Sequence, residues 1–265
     1  MLRSLNPPVR GAILDLDGTL WRGNSPIGDL PAIFARLDEM GIRYILATNN
    51  ATLDIDQYLE KLSGYGVHLD ENQIINSGQA AAHLLKKSFP HGGPVYIVGE
   101  DGLHRALSSY GFFYSEGSDA LAVVAGMDRG INYDKLKHAA QLIQKGLAFI
   151  GTNPDATFPM PGGVLIPGAG SILAAIATAS GIQPVIAGKP QPAMFDLALE
   201  RLNTRAEETI SIGDRPETDI AGGQMSGCRT ALVLSGVTNA QRASEWQPQP
   251  DLIAADISQL IFERS

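Results

Sequence analysis

The stretch 13–21 reads ILDLDGTLW and places two aspartates at the end of a hydrophobic run. The apolar residues around 11–16 predict a buried strand, and Gly18-Thr19 predict a turn directly after it. Residues i and i+2 of a strand point to the same face, so the carboxylates of Asp15 and Asp17 are expected to crowd each other. Like charges held together cost stability, which indicates a functional reason for the pair.

The composition is that of an ordinary globular protein with an excess of acid. Of 265 residues, 44% are hydrophobic and 18% charged, and the formal net charge is −8. A protein with a negative net charge is poorly suited to binding phosphate backbones or anionic lipid, so neither nucleic acid nor a membrane is expected as a partner.

Two further features predict a cytoplasmic protein. Cys228 is the only cysteine, which excludes an intrachain disulfide and suits a reducing compartment. The surrounding sequence predicts a small buried core residue at this position. Residues 1–11 lack the apolar run of a signal peptide. The uncharged stretch 156–188 is interrupted by proline and glycine, which predicts a short buried helix rather than a membrane span.

Strand and helix patterns alternate along the chain, which predicts an α/β fold with a Rossmann-like, doubly wound parallel sheet. Predicted strands lie at 11–16, 42–48, 94–99, 121–126, 147–153, 164–167, 185–187, 209–214, 229–234 and 251–255. Predicted helices lie at about 30–40, 55–64, 101–110, 133–145, 171–180, 192–202 and 217–226.

Polar residues follow four of these strands, at the ends where ligands gather in parallel sheets. They are Asp15 and Asp17 after the first strand, Thr48-Asn49-Asn50 after the second, Gly188-Lys189-Pro190 after the strand at 185–187, and Gly213-Asp214 with Asp219 after the strand at 209–214. Neighbouring carboxylates indicate a hard divalent cation, most simply Mg²⁺.

The same residues suit phosphoryl chemistry. Asp15 has two options: it is a metal ligand only, or a ligand whose other oxygen attacks phosphorus. Asp17 is placed to protonate the leaving oxygen and later to deprotonate water. Lys189, Thr48 and the backbone N–H groups after Thr48 could hold the phosphoryl oxygens.

The segments DLDGT, LATNN, GKP and GDRPETD together resemble, in order, the four motifs of the haloacid dehalogenase (HAD) superfamily. The resemblance implies that Asp15 is the nucleophile, that Asp17 is the general acid/base, and that Thr48 and Lys189 bind phosphate. It implies Mg²⁺ held by Asp15, the Asp17 carbonyl and Asp214, with Asp219 as a further acid beside the metal. With an aspartate at position 17, the first motif resembles that of the phosphatases and phosphomutases of the superfamily and not that of its dehalogenases.

The long gap between the second and third motifs resembles the α/β cap of subfamily IIA, the NagD-like or 4-nitrophenylphosphatase group. The segments 123–136 and 150–163 look like parts of that cap. The resemblance predicts a cap over 80–183 and a catalytic core of 1–79 plus 184–265. It makes Asn153 and Asp155 candidate substrate contacts; a turn fixed by Asx hydrogen bonds is the alternative for this pair. Asn49, in the second motif, is a further candidate for substrate binding.

The predicted function is a Mg²⁺-dependent phosphatase that hydrolyses small phosphorylated metabolites through an aspartyl-phosphate intermediate. Relatives of this kind act on nucleotide, sugar, glycerol or pyridoxal phosphates and often pair through the cap. Two alternatives stay open: a phosphomutase or phosphotransferase using the same aspartate, and a non-catalytic sensor of a phosphometabolite. Trp21, after the first motif, is either an apolar anchor or a lining of the substrate entrance.

Overall fold

The computed structural model describes residues 1–159 and 164–262, so the last four positions of the segment 150–163 lie outside the described residues. The strands are β1 (Gly11–Leu14), β2 (Trp21–Arg22), β3 (Ser25–Pro26), β4 (Arg43–Thr48), β5 (Ile74–Asn76), β6 (Gly93–Val98), β7 (Phe112–Tyr114), β8 (Ala122–Ala125), β9 (Ala148–Gly151), β10 (Thr157–Pro159), β11 (Leu165–Pro167), β12 (Val185–Ile186), β13 (Thr209–Gly213), β14 (Arg229–Val233) and β15 (Leu252–Ala254).

The helices are α1 (Leu30–Glu39), α2 (Ile55–Gly64), α3 (Ser77–Ser88), α4 (Asp101–Ser108), α5 (Tyr133–Gln144), α6 (Ala169–Ser180), α7 (Pro192–Leu202), α8 (Ala221–Met225), α9 (Ala240–Glu245) and α10 (Ile257–Phe262). A π-helical turn at Pro216–Ile220 leads into α8.

The chain divides into two compact units. The first comprises Met1–Thr48, Asp56–Ile75 and Lys189–Ser265; the second comprises Asn49–Ile55 and Asn76–Gly188. The second unit therefore contains 76–79, 184–188 and the short segment 49–55 in addition to the predicted range 80–183.

The first unit is built on a sheet of order β15-β14-β13-β1-β4-β5. Numbered along the chain, these strands run 6-5-4-1-2-3, which is the doubly wound Rossmann order. β1 pairs in parallel with β13 on one side and with β4 on the other. All four residues of β1 are buried, because helices cover both faces of such a sheet. The predicted α/β class and Rossmann-like sheet are confirmed.

Local sequence explains where the helices of this unit begin and end. The carboxylate of Asp29 caps α1 by accepting from Ala32 N at 3.1 Å, and Pro31 stands in the first turn. Ile33, Phe34 and Leu37 are buried on one face of this helix. Gly41, with φ +68°, follows its end in the left-handed conformation.

The second unit has its own parallel sheet, of order β12-β9-β8-β6-β7. In chain order this is 5-4-3-1-2, the flavodoxin-like arrangement. Its core includes Tyr96, Val123 and Phe149 from the sheet and Leu142 and Ile176 from α5 and α6.

One strand lies in a different sheet from the one predicted. The strand before Lys189 was expected to end at the same sheet edge as the other motif strands. Instead Val185 and Ile186 pair in parallel with Ile150 and Gly151, so β12 is the edge strand of the second unit's sheet. Lys189 is three residues beyond β12 and is the first residue of the chain's return to the first unit.

Within the described ranges, no helix combines the length and apolar character needed to cross a bilayer.

Candidate active site

The site forms where the strand order of the first unit reverses. β1 and β13 are neighbours at this switch point, and Leu14 is in register with Ile212. Asp15 N donates to Ile212 O at 2.9 Å, so the first residue beyond β1 is still held to the sheet. Asp214 directly follows β13. The carboxyl ends of the two strands thus bring both aspartates to one sheet edge.

Three carboxylates gather at this edge. Oxygen atoms of Asp15, Asp214 and Asp219 all lie within 4.8 Å of one another. Asp219 reaches the cluster because the π-helical turn brings it back over the end of β13. Its Oδ2 accepts from Arg215 N at 3.1 Å, and its own carbonyl accepts from Ser211 Oγ at 2.9 Å. Both Asp214 and Asp219 are buried.

A buried ammonium group lies against this cluster. Nζ of Lys189 donates to Asp15 Oδ1 and Asp219 Oδ1 at 2.6 Å each and to Ala47 O at 2.9 Å. Burial lowers the pKa of Lys189, but the charges and hydrogen bonds of Asp15 and Asp219 outweigh it, so the pKa is raised above its ordinary value. Lys189 is therefore a permanent cation within the site.

The charges of the cluster do not balance. Three ionised carboxylates and one ammonium carry −3 + 1 = −2, and such an excess is costly in a buried place. Burial first, and then the charges of Asp219 and Asp214, raise the pKa of Asp15 well above its usual range, although Lys189 opposes the rise. Burial likewise raises the pKa of Asp214.

The cluster fits a hard divalent cation. Asp214 Oδ2 accepts from Val237 N at 2.7 Å, whereas its Oδ1 is buried and has no hydrogen-bond partner among residues 1–159 and 164–262. An ionised buried oxygen without a donor needs another positive partner. Mg²⁺ prefers oxygen ligands, and all the candidate ligands here are carboxylate oxygens. Its two positive charges would also offset the excess negative charge of the cluster.

Asp17 lies apart from the three clustered carboxylates. β1 ends at Leu14, so Asp15 and Asp17 follow the strand and do not share one of its faces as expected. Asp17 is exposed, and its Oδ1 accepts from Nε1 of the buried Trp21 at 2.8 Å. The premise of the predicted crowding, that both residues lie in the strand, is therefore wrong; besides burial, the like charges that raise the pKa of Asp15 come from Asp219 and Asp214.

Thr48 ends β4, the strand beside β1, and is buried. Its side chain shares a hydrogen bond with the buried phenol of Tyr58 on α2. Burial, followed by the charge of Asp17, raises the pKa of Tyr58, so this hydroxyl stays neutral. Tyr58 thus helps to fix the position of the Thr48 hydroxyl, which is predicted to bind phosphate.

The remaining predicted residues belong to the second unit, where they hydrogen-bond to one another. Asn49 O accepts from Ser77 Oγ at 2.5 Å and from Asn153 Nδ2 at 2.7 Å. Asn49 Nδ2 is 3.5 Å from Asp155 Oδ2. Asp155 N donates to Asn153 Oδ1 at 3.1 Å, so the Asx turn weighed for this pair is present. Asn153 is buried, whereas Asp155 is half-buried.

Sequence reasoning missed the loop after β14. Ser235 Oγ donates to Gly18 O at 2.7 Å, and Val237 N donates to Asp214. Gly236 packs so closely that a Cβ there would overlap the Asp214 carboxylate. The position of Ser235-Gly236 directly after another predicted strand of the same sheet could have indicated this loop. No charged residue at that strand end pointed to a functional role.

Comparison with known proteins identifies the family. The sequence pattern of the haloacid dehalogenase-like hydrolase family matches residues 12–113, and a HAD-hydrolase-like pattern matches residues 186–260. The 5'-nucleotidase YutF of Bacillus subtilis is 33% identical over 242 residues, which cover 91% of this chain and 93% of that protein. Phosphoglycolate phosphatase 1A of Arabidopsis thaliana is 33% identical over 281 residues, covering 97% of this chain and 78% of that protein.

The structural comparison gives the same family. The solved p-nitrophenyl phosphatase from Archaeoglobus fulgidus superposes with a TM-score of 0.89 at 30% identity, covering 96% of this chain and 99% of that one. The chain belongs to the haloacid dehalogenase-like hydrolases, in the NagD-like and 4-nitrophenylphosphatase subfamily IIA, and is a phosphoric monoester hydrolase.

Proposed function

We propose that this enzyme hydrolyses phosphomonoesters of small metabolites, with Mg²⁺, through an aspartyl-phosphate intermediate on Asp15. The observation that carries the proposal is the cluster of Asp15, Asp214 and Asp219, in which Lys189 bridges Asp15 and Asp219. It combines a carboxylate suited to act as a nucleophile with a permanent cation and a set of hard oxygen ligands.

Asp15 and Asp214, through their carboxylates, and Asp17, through its backbone carbonyl, would hold the metal, with Asp219 beside it. When bound, Mg²⁺ supplies positive charge that screens a dianionic phosphate from the nucleophilic carboxylate. Oδ1 of Asp214, which has no hydrogen-bond partner among the described residues, supports this role.

The chemistry takes two balanced steps. An Asp15 oxygen attacks phosphorus while the bond from phosphorus to the leaving oxygen breaks, and protonated Asp17 gives its proton to that oxygen. A water molecule then attacks the aspartyl phosphate, and ionised Asp17 takes the proton of the water. The bond from Asp15 to phosphorus breaks, which restores the carboxylate and releases inorganic phosphate.

Lys189, Thr48 and the backbone after Thr48 would hold the phosphoryl oxygens. Lys189 donates to two carboxylates and one carbonyl. A phosphoryl oxygen would take the place of one of these acceptors. The ammonium would then keep its number of hydrogen bonds and its negatively charged partners when substrate binds.

A small-metabolite substrate is supported by charge and by relatives. A chain of net charge −8 disfavours polyanionic partners such as nucleic acid. The relatives are named for nucleotides, for phosphoglycolate and for p-nitrophenyl phosphate.

The test is release of p-nitrophenol from p-nitrophenyl phosphate with Mg²⁺, with EDTA, and by Asp15→Asn. We expect turnover only with the metal and the native aspartate. Asp134→Asn, which alters an exposed carboxylate ion-paired with Lys137, should remain active. After rapid acid quenching of turnover on ³²P-labelled substrate, label should stay on the native protein and be removed by hydroxylamine, but Asp15→Asn should carry none.

Two outcomes would contradict the proposal. Undiminished turnover by Asp15→Asn would exclude this nucleophile. Transfer of phosphate to a second phosphometabolite in preference to water would instead identify a phosphotransferase or phosphomutase.

A further inference from the structure

The indole of Trp21 makes a directed contact with the proposed general acid. Trp21 is fully buried at the start of β2, and its Nε1–H donates to Asp17 Oδ1 at 2.8 Å. Neither an apolar anchor nor a lining of the entrance would need this N–H. A carboxylate that is exposed to water has several side-chain rotamers, and this bond selects one of them.

The backbone holds the indole at a fixed place relative to Asp17. Gly18 N donates to Trp21 O at 2.7 Å, and Asp17 and Trp21 form an isolated β-bridge. β2 in turn pairs with β3, so that Trp21 lies opposite Pro26. The donor and the acceptor therefore belong to one closed loop of five residues.

Neighbouring side chains fix the plane of the ring. Nζ of Lys61 lies 4.2 Å from the ring centroid and donates to Gly23 O at 2.9 Å. The ring of Tyr65 lies 6.0 Å away at a 45° interplanar angle. A cation over one face and an aromatic neighbour leave the indole little freedom to rotate, so its N–H keeps one direction.

We propose that Trp21 is a positioning residue for Asp17. The indole N–H occupies Oδ1, and this leaves Oδ2 as the oxygen that carries the proton to the leaving group and later receives one from water. The inference rests on the proposed function, in which Asp17 is the general acid and base. It goes beyond that function by assigning the orientation of the acid to a residue outside the four motifs.

The leaving group provides the test. An alkoxide leaves only with a proton, whereas p-nitrophenolate leaves without one, so a misplaced general acid harms alkyl phosphates selectively. The kcat/KM value reports only the steps through transfer of phosphate to the enzyme, which removes the later attack of water from the comparison. The measured quantity is therefore the ratio of kcat/KM for glycerol phosphate to kcat/KM for p-nitrophenyl phosphate.

We expect Trp21→Phe to lower this ratio by about tenfold, because it keeps an aromatic ring and removes the N–H that orients Asp17. Asp17→Asn, which removes the acid itself, should lower it further. Trp246→Phe is the matched control, because Nε1 of Trp246 has no hydrogen-bond partner in the described part of the chain. Its ratio should equal that of the native enzyme.

Misfolding would lower both values of kcat/KM in the same proportion and leave the ratio unchanged. If Trp21→Phe fails to fold, replacing tryptophan by 3-benzothienylalanine in the Trp246→Phe background exchanges the N–H for sulfur at unchanged shape. The ratio should fall in that protein as well.

The two possible failures can be told apart. An unchanged ratio in Asp17→Asn would show that Asp17 is not the general acid, and the proposed function and this inference would fall together. A lowered ratio in Asp17→Asn together with a native ratio in Trp21→Phe would overturn the positioning role alone. If Trp21→Phe misfolds, the ratio of the benzothienyl protein takes its place in this comparison.

Discussion

Lys189 shows how one side chain can serve stability and chemistry together. Its ammonium lies between Asp15 and Asp219 and is almost wholly buried. An isolated ammonium at such a place would lose its proton, but two carboxylates at hydrogen-bond distance hold the proton on Nζ. The attraction also works in reverse, because Lys189 opposes the rise in the pKa of Asp15 that burial causes.

Gly236 is required by the space beside Asp214. A Cβ at Gly236 would overlap the carboxylate of Asp214, a residue that is itself buried. Gly236→Ala should therefore displace the proposed metal ligand. We expect activity to fall about a hundredfold and the free energy of unfolding to fall by about 1–3 kcal/mol. Steady-state kinetics and chemical denaturation measure the two effects.

Gly64→Ala is the matched control for this substitution. Gly64 is the last residue of α2, and a Cβ there would meet nothing within 4 Å, so activity should stay at the native value and the free energy of unfolding should not fall. Full activity in Gly236→Ala would show that Asp214 can move without harm to catalysis.

At the scale of elements, the residues of the proposed site lie in the loops after the strands, and the strands position these loops. In the second unit, Ser77 at the start of α3 and Asn153 after β9 both donate to the carbonyl of Asn49. Because the peptide unit is planar, fixing that carbonyl also fixes the direction of the Asn50 N–H, one of the backbone donors proposed to hold phosphate. A side-chain amide thereby controls a main-chain donor that is distant in sequence.

This arrangement predicts a binding defect in Asn153→Ala. Loss of one hydrogen bond is worth about 1 kcal/mol, so KM should rise about fivefold while kcat changes little. Asn132→Ala is the control, because Asn132 caps α5 by accepting from Lys135 N and its loss costs about 1 kcal/mol of stability. An equal rise of KM in both variants would indicate general loosening of the second unit and contradict a specific role for Asn153.

The elements also show which features the sequence could predict. Long amphipathic segments such as α1 and buried runs such as β4 were predicted within a few residues, because their periodicity is local information. The partner of β12 was not predictable in this way, since a two-residue strand carries no pattern that selects between two sheets. α3 was missed because its buried face consists largely of small residues such as Gly78 and Ala81.

The candidate site followed from the sequence to the extent that it depends on strand ends. Asp15 and Asp214 lie together because β1 and β13 are parallel neighbours, and their positions at equivalent strand ends were predicted from the sequence. The hydrogen bond from Trp21 to Asp17 and the support of Asp214 by the loop after β14 depend on tertiary packing. Residue identity alone does not specify such contacts.

At the scale of the whole molecule, two doubly wound sheets of different strand order are folded from one chain. The first unit consists of three stretches of chain and the second of two, so neither is a continuous segment. Lys189, Thr48 and the carboxylates proposed to be catalytic all belong to the first unit, whereas Asn49, Asn153 and Asp155 belong to the second. Because the charged cluster is buried in the first unit, we expect the stability of that unit to depend on how the charge of the cluster is balanced.

The charge of that site predicts a dependence of stability on pH and Mg²⁺. The pKa values of Asp15 and Asp214 are raised in the folded state. Their protonated forms therefore favour folding below the ordinary carboxyl pKa of about 4, and this contribution is lost as pH rises through the raised values. The metal-free protein should lose stability over that range. Mg²⁺ binds the ionised carboxylates, so it should restore more stability at about pH 8 than at about pH 5.

Thermal unfolding with EDTA and with Mg²⁺ at both pH values measures this coupling. A Mg²⁺ concentration about a hundredfold above Kd should stabilise the native enzyme by about 2.7 kcal/mol at the higher pH. Asp214→Asn removes one ligand and one of the two titrating groups, so both the Mg²⁺ effect and the loss of stability with pH should shrink in that variant. Equal Tm values with EDTA and Mg²⁺ at both pH values would mean that the carboxylate cluster binds no cation, because any binding to the folded state alone must raise Tm by mass action.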